Sequence, residues 1–235
     1  MTWTLVTGGS KGLGEAICYE LGRRGHSVLV HYNKSAQEAG RVMEKCRSFG
    51  VNAECIQGDF SSVESTFQFI SSCKNQFPII GNLVNNVGSY LIASALHTTV
   101  QDWTQLFQVN LHAPFMIIQE MAETIKNEQG AIVNIGTAGL GMKANVTCTG
   151  YVLTKLSLLA LTRSFARELA PWHVRVNMVS PGQLENSVDN LNPLQIPMGR
   201  LGNLSEVAQT VAYLLSPEAT YVTGQNLEVA GGYAL

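Results

Sequence analysis

Apolar residues with two different periods alternate along the first half of the chain, and this alternation restricts the fold more than any other feature. Trp3 to Thr7 reads as a short strand. The turn Gly8 to Gly14 follows, and then helical spacing at Leu13, Ala16, Ile17 and Leu21. Ser27 to Tyr32 is a second strand; Ala39, Val42, Met43, Cys46 and Phe49 mark a helix; Asn52 to Gln57 is a third strand. Ser61, with Glu64 three residues on, reads as a capping box that opens a helix carrying Phe67, Ile70 and Cys73. Pro78 stops it, and Ile79 to Val84 is a fourth strand. Strands that alternate with helices predict an α/β fold, a doubly wound parallel sheet flanked by helices. The second half continues the pattern. A helix is expected from about Asp102 to Asn127, a strand over Gly130–Ile135, a helix from Tyr151 to Ala170, a strand over Val174–Val179, a helix over Ser205–Leu215 and a strand near Asn226–Val229. With no linker or repeat, residues 1–235 are expected to form a single domain.

In such a sheet, ligands sit beyond the carboxyl ends of the strands. Gly8 to Gly14, Asp59 and Asn85 to Gly88 all follow strand ends, so they are expected to converge. Glycines allow a tight turn and a close approach to a pyrophosphate, and the helix start behind them offers unpaired N–H groups to the anion. The spacing here is G-x-x-x-G-x-G. After the second strand the chain reads His31-Tyr32-Asn33-Lys34-Ser35, without the acidic residue that holds the ribose hydroxyls at many NAD sites. Lys34, with Lys11 from the glycine turn, could meet a 2′-phosphate. The expected cofactor is therefore NADP(H) rather than NAD(H).

Tyr151 and Lys155 are four apart, which on a helix puts both on one face. An ammonium near a phenol stabilises the phenolate, so Lys155 is expected to lower the Tyr151 pKa and make it a proton donor for a carbonyl under reduction. Asn110 falls inside an expected helix, where asparagine competes poorly.

The formal net charge is −2 and no run of like charge occurs, which excludes a basic nucleic-acid surface and a polybasic membrane patch. The five cysteines form no C-x-x-C pair, so free thiols in a reducing cytoplasm are expected. A strand beginning at Trp3 leaves no room for a signal peptide, and no apolar run approaches the ~18 residues of a membrane helix.

Taken in order, Thr7-Gly-Gly-Ser-Lys-Gly-Leu-Gly14, Asp59, Asn85-Asn-Val-Gly88, Asn110, Tyr151-x-x-x-Lys155, Ser180-Pro-Gly182 and Gly231-Gly232 resemble the short-chain dehydrogenases/reductases of the classical type, over essentially the whole chain. The resemblance implies a single Rossmann-like domain. It gives Gly8, Gly12 and Gly14 the pyrophosphate turn, with Ser10, Lys11 and Leu13 beside the cofactor. Asn33 and Lys34 fall in a stretch that looks like that of NADPH-using members. Asp59, next to Phe60, would bind the adenine. Asn85 would brace the central strands, with Asn86 following, and Gly88 would leave room for a ribose. Tyr151 would be the proton donor, Lys155 would bind the nicotinamide ribose, Asn110 would hold a water in the proton relay, and Pro181 and Gly182 would lie along the nicotinamide.

Three departures from the family pattern bear on function. The usual serine, thirteen residues before the tyrosine, is Ala138; Thr137, one place earlier, takes its part if the loop between Gly139 and Gly150 holds one extra residue. Otherwise the site has no such hydroxyl. The usual threonine four residues past Gly182 is Asn186, followed by Ser187. Only fourteen residues separate Gly182 from Pro197, and they are polar (Glu185, Asn186, Asp189, Asn190, Asn192), so a compact or largely exposed substrate is expected. The overall look is that of 3-oxoacyl-(acyl-carrier-protein) reductases of fatty acid biosynthesis. The expected activity is NADPH-dependent reduction of a small or acyl-thioester carbonyl. Pteridine or dihydrofolate reduction is the alternative within the family, and a catalytically weak NADP(H)-binding sensor or scaffold is the alternative of another class. The resemblance also implies a homotetramer or homodimer. The apolar content of Leu156, Leu158, Leu159, Leu161 and Phe165 exceeds one core-facing stripe.

Overall fold

A computed structural model describes residues 1–141, 147–187 and 192–233. Seven strands form one parallel sheet in the order β3-β2-β1-β4-β5-β6-β7. They are β1 (Trp3–Val6), β2 (Ser27–Tyr32), β3 (Ala53–Gln57), β4 (Ile80–Asn85), β5 (Ala131–Ile135), β6 (Arg175–Pro181) and β7 (Asn226–Val229). The helices α1 (Gly12–Arg23), α2 (Ala36–Arg47), α3 (Val63–Gln76), α4 (Val100–Phe107), α5 (Ala113–Asn127), α6 (Thr149–Leu169) and α7 (Leu204–Leu215) cover both faces. The strand alternation sorts the core. Val6, Val28, Val84 and Val133 face α1, α2 and α7 on one side. Leu5, Leu29, Leu83 and Ile132 face α3, α5 and α6 on the other. Strand order reverses between β1 and β4, so the ligand crevice opens at their carboxyl ends.

Two local expectations need correction. The cap of α3 is Ser62, not Ser61: its hydroxyl accepts from the Ser65 N–H, and the Ser65 hydroxyl accepts from the Ser62 N–H. Ser61 instead donates to Asp59. The helix expected from Asp102 to Asn127 is interrupted by a π-helical turn over Gln108–His112, between α4 and α5. Pro114 explains the break. It has no N–H, so the Asn110 carbonyl has no donor four residues on, and a regular α-helix cannot run through this point with its ladder intact.

Candidate active site

The glycine turn is locked to β4 at the point where strand order reverses. The Asn86 side chain donates to the carbonyls of Thr7 (2.9 Å) and Gly8 (3.2 Å), and the Thr7 hydroxyl accepts from the Asn86 N–H at 2.8 Å. Gly8 and Gly12 both have positive φ, at 64° and 54°. A Cβ at Gly14 would lie 2.1 Å from the Gly8 carbonyl oxygen, so only glycine lets α1 start this close to the turn. Lys11 caps α1 without a side-chain bond, and the first helical hydrogen bond runs from Glu15 to Lys11. The N–H groups of Gly12, Leu13 and Gly14 are thereby left for an anion.

A cleft of about 490 Å³ runs from Gly8 and Ser10 past Asn33 and Lys34 to Asp59 and Phe60. Asp59 accepts from Asn33, at 3.0 Å, and from the Ser61 N–H and hydroxyl, and these hydrogen bonds hold its carboxyl below the usual range. Lys34 is exposed and makes no ion pair among the described residues, whereas Lys11 is paired with Glu38 at 3.2 Å. Beyond Gly182, the Asn186 side chain reaches back over the turn, so that a Cβ at Gly12 would lie 3.0 Å from its Nδ2. The Ser187 hydroxyl accepts from the Leu184 N–H. Asp189 and Asn190 of the expected polar lid lie outside the described residues, as does the stretch 142–146 of the loop before α6.

Below this cleft, Asn85 ties β4 to β5: it donates to Asn134 at 2.9 Å, and Asn134 donates to Thr162 of α6 at 2.9 Å. The Asn85 side-chain oxygen, Oδ1, is buried without a hydrogen-bond partner among the described residues. Asn110 is fully buried. Its Oδ1 accepts from the Ser89 N–H at 2.7 Å, and its Nδ2 donates to the Ser89 carbonyl at 2.9 Å and to the Thr154 hydroxyl at 3.0 Å. The whole side-chain amide is thus spent on fixing the loop after Gly88 and the start of α6.

Lys155 is buried, with one hydrogen bond among the described residues, from Nζ to the Ile135 carbonyl at 2.8 Å. Burial pushes its pKa down to about 8. A Cβ at Gly88 would lie 3.4 Å from Nζ, so the glycine keeps open the space above the ammonium. Two ammonium hydrogens with no acceptor among the described residues, an open space above them and an uncapped helix start fit a ribose and a pyrophosphate. The donor set therefore fits a dinucleotide.

Thr137 follows Gly136, which only glycine can fill because a Cβ there would lie 2.4 Å from the Ser180 hydroxyl. Gly136 and Ala138 both pair with β6, through Val179 and Pro181. Between them, Thr137 lines the same cavity as Tyr151, near enough for its hydroxyl to draw the phenol pKa down. Ala138 offers no hydroxyl. Burial pushes the Tyr151 pKa up to about 12, against the lowering effect of Thr137. The expected lowering by Lys155 does not hold in this state: Nζ is 5.7 Å from the ring centre, and desolvation of both groups dominates. Pro181 and Gly182 line the same cavity of about 670 Å³ as Tyr151 and Thr137. Sequence reasoning missed Tyr90, whose ring meets Tyr151 edge-on at 4.7 Å, and Tyr233, a further wall of this cavity. No pattern marked Tyr90, because it sits on an irregular loop. Among the described residues, no side chain of Asp, Glu, Lys, Arg or His lines the cavity, and no cluster suited to a metal ion occurs.

Comparison with known proteins agrees over the full length. A family model described as Enoyl-(acyl carrier protein) reductase matches residues 8–234. The 3-oxoacyl-[acyl-carrier-protein] reductase FabG of Staphylococcus aureus is 34% identical over 97% of this chain and 96% of its own. Among solved structures, acetoin dehydrogenase YohF from Salmonella typhimurium superposes with a TM-score of 0.91 at 30% identity, covering 99% of this chain and 97% of that one. A blue fluorescent protein from a metagenomic library, in complex with NADPH, gives 0.92 at 29% identity over 100% of this chain and 98% of its own.

Proposed function

Since the chain belongs to the short-chain dehydrogenase/reductase family, we propose that it is an NADPH-dependent reductase that converts a carbonyl to an alcohol. The observation that carries this reading is that Thr137 and Tyr151 share a cavity to which the described residues bring no charged side chain, with the Lys155 ammonium buried behind it. When bound, NADPH would supply the hydride to the carbonyl carbon. Thr137 and Tyr151 donate hydrogen bonds to the carbonyl oxygen, and Tyr151 gives its proton to the developing alkoxide. Lys155 holds the nicotinamide ribose. The Asn110 carbonyl holds a water through which the proton is replaced. Gly8, Ser10, Gly12, Leu13 and Gly14 cradle the pyrophosphate, Asp59 and Phe60 bind the adenine, and Lys34, supported by Lys11, takes the 2′-phosphate.

The hydroxyl at position 137 also weighs against a sensor without catalysis, since the group whose absence would favour that reading is supplied one residue early. On substrate, the FabG relatives support a 3-oxoacyl thioester carried by an acyl-carrier protein. The absence of charged side chains among the described residues of the cavity and the acetoin dehydrogenase neighbour support a second reading, a compact neutral ketone or diketone. Five free thiols fit a cytoplasmic protein, and no described helix is long and apolar enough to cross a membrane. NADPH oxidation followed by near-UV absorbance against a 3-oxoacyl thioester, diacetyl, acetoin and dihydropteridine tests the proposal. Turnover of one class assigns the substrate. Tight NADPH binding without any turnover would return the sensor reading.

A further inference from the structure

The proposed chemistry makes no use of His31, yet this residue is buried to 2% exposure at the carboxyl end of β2 and touches three segments. Nδ1 accepts the Gly8 N–H at 2.9 Å. Nε2 lies 3.2 Å from the Gly58 carbonyl at the end of β3. The His31 main-chain carbonyl accepts the Gly9 N–H at 2.9 Å. An N–H can only donate and a carbonyl can only accept, so the ring is the neutral tautomer with its hydrogen on Nε2. Burial pushes its pKa down to about 4, in keeping with that state. The ring is stacked on Phe60 at 4.4 Å with 3° between planes, and Phe69 meets it edge-on at 4.9 Å. A Cβ at Gly58 would lie 3.0 Å from Nε2, so the fit around the imidazole is close.

These bonds divide the donors of the glycine turn. His31 takes the N–H groups of Gly8 and Gly9, while those of Gly12, Leu13 and Gly14 stay free for an anion. Phe60, which forms part of the adenine end of the cleft, rests on the other side of the same ring. We propose that His31 is a positioning residue that joins the pyrophosphate turn to the adenine wall, so that both halves of the dinucleotide site are held in register by one imidazole. This inference rests on the reading of the cleft as a nicotinamide dinucleotide site.

The test is direct cofactor affinity, read from NADPH fluorescence on the full-length protein, for wild type and three variants. His31→Leu removes both side-chain bonds. His31→Asn keeps an acceptor where Nδ1 stood, and His31→Gln keeps a donor towards Gly58. His31→Leu is expected to raise the Kd for NADPH about tenfold, the effect of one unmet buried N–H. His31→Asn is expected to recover most of that loss and His31→Gln little of it, with kcat at saturating cofactor within about twofold of wild type throughout. A merely structural imidazole would lower Tm equally in all three and leave Kd unchanged in the folded protein; that result overturns the proposal. If His31→Leu does not fold, the Asn and Gln variants decide alone, and equal Kd values for them refute it. A wild type that binds neither NADPH nor NADH would instead refute the dinucleotide reading and take this inference with it.

Discussion

Lys155 Nζ hydrogen-bonds the Ile135 carbonyl at 2.8 Å and lies 5.7 Å from the centre of the Tyr151 ring, so the ammonium backs the phenol without touching it. The two groups are shifted in opposite senses by the same cause, burial. Tyr151 is held at about 12 and Lys155 at about 8. At neutral pH the phenol is therefore protonated and the lysine charged, the states that carbonyl reduction requires.

The pH dependence follows with opposite signs for activity and stability. Lys155 loses its charge as pH rises through about 8, so reduction is expected to be flat below that value and to decline above it. The folded lysine binds its proton less tightly than the unfolded one, at about 8 against 10.5. Between these values the unfolded chain holds more protons, and the Lys155 contribution to stability rises with pH. Initial rates and chemical denaturation at pH 7, 8 and 9 check both arms; Lys155→Met should flatten the stability arm.

Thr137→Ala is expected to lower kcat by about a hundredfold, the usual effect of removing one donor to a developing oxyanion. Thr137→Ser should keep most of the activity. Ala138→Ser added to Thr137→Ala should restore little of it, because Thr137 and not its neighbour is the residue that acts on the Tyr151 phenol. Steady-state kinetics on the four proteins measures this.

Asn110→Leu would strand the Ser89 N–H and carbonyl. Unmet buried groups of this kind cost about 1–3 kcal/mol each, partly recovered by solvent. A fall in the denaturation midpoint is expected together with loss of turnover, because the loop after Gly88 and the start of α6 share this one amide.

Much of this arrangement is legible in the sequence, and the exceptions have physical reasons. The sheet is legible because buried parallel strands need apolar runs, and β2 to β6 each end in or run directly into glycine or asparagine. The π-turn is not: Leu106, Val109, Ala113 and Ile117 keep helical spacing through it, and a slip of one hydrogen bond leaves apolar periodicity intact. The signal was Pro114, four residues after Asn110. His31 looked like one more strand residue, since its role depends on Gly8 and Gly58, which are distant in sequence. The Tyr151 pKa is not legible from spacing, which gives proximity to a charge but not burial, and burial is the larger effect here.

Lys34→Glu is expected to reduce the preference for NADPH over NADH at least tenfold, since a charge-assisted bond to the 2′-phosphate contributes about 1.5–3 kcal/mol. Lys11→Ala should have the smaller effect, its charge being shared with Glu38. Titration with both cofactors gives the ratio.

An apolar face remains on the outside of the single chain. Phe115 is 39% exposed and stacks on Phe165 at 6.2 Å, with Leu153 exposed further along α6. We propose that this face pairs subunits in a homotetramer or homodimer. Phe115→Glu should then elute as a smaller species on sizing; an unchanged elution volume would sink the proposal.

The most direct test of the central claim compares wild type with Tyr151→Phe, measuring NADPH Kd and the rate of carbonyl reduction on the same samples. The account predicts an unchanged Kd and a rate lowered by about a thousandfold, the middle of the range for loss of a general acid. A Tyr151→Phe protein that reduces the same carbonyl at nearly the wild-type rate would contradict it.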